Sequence, residues 1–250
     1  MLIPAHQVFD RDSALLSATH RAGERDTPSR EARHGSAQGG EHVTSGSAAS
    51  LAGLLFALTY VLVVFVVQPL LLRRRTGRSG WLASLGANRA ERCANVLFLG
   101  ACGLELANPS LALAGIRPMG TVLPPAVAGL SVLLFLGGLV LAVLAQRTMG
   151  SAWQTGINPE FRAPLIVHGP FRLVRNPTYT SLLANGLAVA LLVPTALAAI
   201  AVLVCLTALQ IQTRLVEEPH LKQLHQRAYH DYAARVGRFF PLIGRLRAPS

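Results

Sequence analysis

Between Leu51 and Ile211 the chain is dominated by long apolar blocks separated by short charged stretches, and this pattern limits the folds open to it. The first block runs from about Leu51 to Leu72 and stops at Arg73, Arg74 and Arg75. The second runs from about Ala94 to Ile116, with Glu105, Asn108 and Pro109 near its far end. The third runs from about Val122 to Ala145 and ends at Gln146-Arg147. Each is about 22 to 24 residues long, and about 20 helical residues cross a ~30 Å hydrocarbon layer. Backbone groups in lipid must be satisfied internally, which leaves helices as the spanning element for runs of this length.

A fourth block, from about Thr180 to Ile211, is too long for one ordinary span, and Pro194 interrupts it. Proline removes a backbone donor and clashes with the preceding turn. The block therefore reads as a hairpin of two short helices, Tyr179–Val193 and Thr195–Thr213. The rival reading is one long kinked helix. Charge separates the two. With a hairpin, loop 73–92, segment 146–178 and tail 214–250 share one side and carry 17 of the 23 Lys and Arg. A single helix would send the tail across the bilayer and weaken that bias. Basic loops stay in the cytoplasm, so the N-terminus is expected outside and the C-terminus inside. The expected fold is all-α and polytopic, with about five transmembrane helices and a cytoplasmic C-terminal amphipathic helix at about His220–Val236.

Three regions are expected. Residues 1–50 form a disordered tail, rich in Ser, Gly, Ala, Arg and Glu without hydrophobic period. No apolar stretch near Met1 suggests a signal peptide. Residues 51–145 hold three spans, and 146–250 hold the polar residues that can do chemistry, around hairpin 179–213. The net charge of +11 comes without any nucleic-acid recognition motif, so no nucleic-acid partner is expected. Three cysteines without a CxxC give no disulfide framework. His220, His225 and His230 are five apart rather than four, which argues against a metal site. Nucleotide-binding and hydrolase signatures are missing from the sequence.

The polar residues flank the hairpin. Before it stands GPFRLVRNPTY, Gly169 to Tyr179, and after it RLVEEPHL, Arg214 to Leu221. A hairpin brings its ends together, so Arg172 and Arg175 should lie near Glu217 and Glu218. The two Arg are three apart and would share a face if helical. Structural readings compete with this one: the Arg pair as an anchor before a span, and Glu-Glu-Pro as a capped helix start.

These segments, in this order, resemble the isoprenylcysteine carboxyl methyltransferase family, part of a wider set of membrane methyltransferases that includes phospholipid N-methyltransferases. The family pattern is G-x-[YF]-R-x-[VI]-R-H-P-x-Y, a helical hairpin, E-E-x-x-L, spaced Tyr residues and R-[FY]-x-P. Its counterparts here are Gly169–Tyr179, Glu217-Glu218-Pro219-His220-Leu221, Tyr229, Tyr232, Arg238, Phe239 and Pro241, covering roughly residues 145–243. The resemblance implies S-adenosylmethionine as methyl donor and a lipophilic or membrane-associated acceptor, a carboxylate among the candidates. It implies a multi-pass protein of a bacterial inner membrane with its site facing the cytoplasm. His168, Gly169, Arg172, Arg175, Asn176, Pro177, Tyr179, Glu217 and Glu218 would hold the donor. Arg238, Glu218 and Asn176 would stand at the reacting centre. Asn176 occupies the position of the family histidine, and it can hydrogen-bond but cannot titrate. Two other functions remain open at this point: an NADPH-dependent membrane reductase related to sterol reductases, and a non-catalytic protein of the same fold.

Overall fold

The computed structural model describes residues 30–77, 86, 88–115, 123–154 and 162–246, with side chains described from Gly46 onward. Helix α1 (Arg30–Val61) runs through a π-helical turn (Leu62–Val67) into α2 (Gln68–Thr76). Then follow α3 (Arg89–Leu113), α4 (Pro125–Met149), α5 (Pro177–Leu192), α6 (Ala196–Ile211), a second π-helical turn (Gln212–Glu217) and α7 (Glu218–Arg235). Among the described residues there is no strand. The chain is an all-α polytopic membrane protein. Among the described residues, four helical stretches are long and apolar enough to cross a bilayer: Gly46–Thr76, Arg89–Leu113, Pro125–Ala152 and Ala196–Arg235. Pro177–Leu192 is apolar but shorter. Helix α1 begins at Arg30, inside the segment expected to be a tail; residues 1–29 of that segment lie outside the described residues, as do 116–122 and 155–161.

The π-helical turns follow from two prolines. Pro69 and Pro219 each stand two residues past the end of such a turn. Inside an α-helix a proline ring strikes the carbonyl four residues back. Widening the turn to an i→i−5 pattern moves that carbonyl away. Gln68 N–H accordingly donates to Val63 O, and Glu218 N–H to Thr213 O. The next carbonyl in the first turn, Val64 O, would need the N–H that Pro69 lacks. Gln146 Nε2 of α4 donates to it instead, at 3.0 Å. The proline thus leaves a vacancy that a buried glutamine of a neighbouring span fills.

The hairpin is present, with a turn at Val193-Pro194-Thr195 between α5 and α6. Thr195 caps α6, its Oγ1 accepting from Ala198 N at 3.1 Å. Asn108 of α3 clasps the turn. Its Nδ2 donates to Val193 O at 3.0 Å, and its Oδ1 accepts from the Thr195 hydroxyl. Glu105, one helical turn earlier, accepts from Asn185 Nδ2 of α5. The polar residues that break the second apolar block are therefore the clamps of the hairpin. On the other side α5 lies along α4, where a Cβ on Gly138 would stand 3.2 Å from Ser181 O and 3.3 Å from Ala184 Cβ. Small residues allow such close approach in membranes. Tyr60 of α1 joins through a 2.6 Å hydrogen bond with the Ser181 hydroxyl. Tyr60, Val64, Phe135, Leu182 and Leu209 fill the core between these helices.

One boundary differs from expectation. The second hairpin arm does not end at Thr213 to let a separate helix start near His220. Helix continues from Ala196 to Arg235, because the π-helical turn absorbs Pro219. The break comes later, at Gln226, whose φ of 45° and ψ of −120° bend α7.

Candidate functional site

The stretch before α5 is a short 3₁₀ turn, Gly169–Arg172, followed by Val174-Arg175-Asn176 in non-helical form. That piece pairs with the chain beyond α7. Val174 bridges to Gly237 in parallel, Arg175 N donates to Gly237 O at 2.8 Å, and Asn176 N donates to Arg238 O at 3.1 Å. Pro177 then opens α5, where its missing N–H costs nothing. Tyr232 of α7 closes the arrangement, its hydroxyl donating to Phe171 O at 2.7 Å. The two polar segments flanking the hairpin therefore meet, as the bend at Pro194 requires.

Glu218 lies at the centre, 4% exposed. Arg238 grips it with two bonds, Nε to Oε1 at 2.7 Å and the second nitrogen to Oε2 at 3.1 Å. Arg175 lies 3.2 Å from the same Oε1. Such paired forks suit guanidinium and carboxylate geometry. Arg175 also donates to Tyr229 Oη at 3.1 Å and to Gly244 O at 2.6 Å, with its guanidinium carbon 5.9 Å from the Tyr229 ring centre. Its Nε is buried and has no hydrogen-bond partner among the described residues.

Glu217 behaves differently. It accepts from the Tyr179 hydroxyl and, at a long 3.5 Å, from Gln212 Nε2. Among the described residues no cation pairs with it. Adjacent residues on a helix point about 100° apart, so the two glutamates face different partners.

A cavity of about 240 Å³ opens beside these groups. Arg175, Asn176, Pro177, Tyr179, Glu217 and Glu218 all contribute to its wall. Asn176 is half-buried there, and its Nδ2 makes only a 3.5 Å contact to Arg238 O. Three other expected site residues do not line the cavity. His168, Gly169 and Arg172 are exposed on the 3₁₀ turn. Arg172 and Arg175 do not share a helix face, because the turn ends at Arg172 and the chain from Val174 to Asn176 is non-helical. Arg238 reaches the site through Glu218 and does not line the cavity wall. Sequence reading did not single out Trp153, Thr213 or Leu165, and weighed His225 only as a metal ligand, yet all four line it. Trp153, an isolated aromatic just past the third span, was the one visible signal. Gly244 contributes a backbone carbonyl, which leaves no trace in residue type.

The comparison with known families agrees with this layout. Residues 127–228 match the phospholipid methyltransferase family. These are membrane methyltransferases related to the isoprenylcysteine carboxyl methyltransferases. The match takes in α4 from Val127 onward, the 3₁₀ turn, the whole hairpin and α7 as far as Ala228, and so contains every expected cavity residue from Arg175 to Glu218. Arg238 and the terminal segment lie beyond it. No curated protein matches the chain. The match spans 102 of the 250 residues, and with the apolar helices it makes the chain similar to membrane methyltransferases over that region.

Proposed function

We propose that the chain transfers a methyl group from S-adenosylmethionine to a lipophilic acceptor at the cytoplasmic rim of the bilayer. The observation that carries this is a cavity with both signs of charge on its wall: among the described residues, Glu217 has no cation and the buried Nε of Arg175 no hydrogen-bond partner. The donor brings an ammonium and a carboxylate, and when bound it supplies a methyl carbon activated by a sulfonium. Glu217 would hold the ammonium and Tyr179 would orient Glu217. Arg175 and the Asn176 amide would receive the carboxylate or a ribose hydroxyl. Glu218 and Arg238 would act one step back, by fixing Arg175.

Methyl transfer asks chiefly for an in-line approach in a site shielded from water, and positioning supplies much of the rate. The residues here suit that task. Phe171, Trp153 and Leu221 are among the side chains that give the wall its apolar part. Orientation follows from charge. Arg73, Arg74 and Arg75 end α2 and Arg147 ends α4, as in loops kept in the cytoplasm.

The test is thermal unfolding of the purified protein with S-adenosylmethionine and, separately, NADPH. A ligand that binds only the folded form at 100 times its Kd stabilises by about 2.7 kcal/mol. A shift with S-adenosylmethionine that Glu217→Gln removes supports the proposal. A shift with NADPH alone would assign the cavity to reductase chemistry.

A further inference from the structure

Beyond α7 the chain makes a tight reverse loop. Arg238 N donates to Ile243 O at 2.7 Å, and Ile243 N donates back to Phe240 O at 3.2 Å. Gly237 is obligatory, since a Cβ there would stand 2.1 Å from Phe240 O. Leu242 sits at φ +70°, a conformation that residues with branched side chains seldom adopt. The loop directs its side chains to opposite sides. Phe239 is 4% exposed and packs into the core with Tyr60, Leu182 and Leu209. Phe240, Leu242 and Ile243 are 52%, 68% and 66% exposed.

The depth of this loop is fixed by its contacts with the hairpin. Thr180, in the first turn of α5, donates its hydroxyl to Phe239 O at 2.7 Å. The Tyr179 ring meets the Phe239 ring edge-on, with centres 6.2 Å apart. The loop therefore sits where α5 enters the membrane. Leu173, next to the bridging Val174, is also exposed, and so is Arg245, which follows the loop in sequence. Exposed apolar side chains close in sequence to an exposed cation, at that level, have the make-up of an interfacial anchor.

We propose that the Phe240–Ile243 loop is a lipid anchor, its three apolar side chains lying in the boundary between headgroups and acyl chains of the bilayer that the helices span. The same loop holds the site together. Gly244 O accepts from Arg175 and Arg238 carries the fork onto Glu218. The loop is thereby coupled to the cavity. Resting on the proposed donor site, the consequence is tighter S-adenosylmethionine binding when the loop is seated in lipid.

The experiment uses full-length Phe240→Trp in phosphatidylcholine–phosphatidylglycerol vesicles, read as a difference from the parent, which already has Trp81 and Trp153. Doxyl labels placed near the headgroup or deep in the acyl chains serve as quenchers. Blue-shifted emission, quenched more by the shallow label and independent of protein-to-lipid ratio, is the expected result. Emission quenched by aqueous acrylamide and by neither lipid label overturns the proposal by placing the loop in water. Emission that is blue-shifted, unquenched by lipid and dependent on protein-to-lipid ratio also overturns it, by placing a second copy over the loop. Ile243→Trp repeats the measurement if Phe240→Trp fails to fold. In the same vesicles Leu242→Gln/Ile243→Gln is expected to bind S-adenosylmethionine several-fold more weakly than the parent; equal affinity overturns the coupling. A parent that binds no S-adenosylmethionine sinks the donor site, while the quenching result still decides the anchor.

Discussion

Glu217 and Glu218 are neighbours in sequence, yet their neutral substitutions should fail in different ways. Glu218→Gln is the more damaging to folding. Its carboxylate is 4% exposed and answers two guanidinium groups, Arg238 through both oxygens and Arg175 at 3.2 Å. An amide keeps the shape but removes the charge, and one of its two ends is now a donor facing a donor. Two buried cations then lack a counter-charge. Breaking a buried pair by removing one partner costs about 3–5 kcal/mol, against about 0–1 kcal/mol for an exposed pair. Glu217→Gln leaves no cation stranded and still accepts from Tyr179, so its cost should stay below about 1.5 kcal/mol, one ordinary hydrogen bond. The assay is denaturant unfolding in a mild detergent, followed by helical circular dichroism, with labelled S-adenosylmethionine binding on the folded fraction. Glu218→Gln should lose stability by the larger amount. Glu217→Gln should remain folded and lose donor affinity. Equal stabilities for the two variants would refute the partition of roles, and so would full donor affinity in Glu217→Gln.

Three further outcomes follow from the packing. Asn108→Ala removes two bonds that clasp the hairpin turn; at roughly 0.6 to 1.7 kcal/mol for each polar contact within a membrane, unfolding should shift by about 1–3 kcal/mol, and an unchanged unfolding midpoint would remove Asn108 as the clamp. Gln146→Leu leaves Val64 O unpaired where Pro69 cannot serve it, a loss of about 1–3 kcal/mol, which Pro69→Ala in the same chain should partly restore by returning an N–H. Gly237→Ala cannot keep the reverse loop, given the 2.1 Å approach to Phe240 O; limited proteolysis should then cut near residues 237–246 while leaving the spans intact.

The spans and the hairpin were legible because lipid permits so few arrangements. Apolar length alone set three helices, and Pro194 together with the basic loops set the return of the fourth block. Internal polar detail was less legible. Glu105, Asn108 and Pro109 look like a defect in the second block until Asn108 is found on Val193 and Thr195, some 85 residues further along. Pro219 was misleading in a specific way. Glu-Glu-Pro reads locally as a helix start, but a widened turn lets the preceding helix run through it. A π-helical turn has no residue signature beyond the proline that it accommodates. For the same reason Arg172 and Arg175, judged by spacing, were expected together, whereas backbone pairing with Gly237 and Arg238 separates them.

That backbone pairing explains why the site needs residues outside the matched family region. Arg175 and Glu218 lie within residues 127–228, but neither is positioned by that region alone. Arg175 N and Asn176 N are held by the carbonyls of Gly237 and Arg238, and the Arg175 side chain by Gly244 O. Glu218 is held by the Arg238 fork. The hairpin brings the arginine and the glutamates to one rim, and the terminal loop then fixes their register. If this order is right, a chain truncated after Val236 should still insert its helices, since their apolar surfaces and the Asn108 clasp are intact. It should nevertheless lose donor binding altogether, because Arg175 would have neither its backbone partner nor Gly244. Retained affinity in that truncation would show that the hairpin alone builds the site.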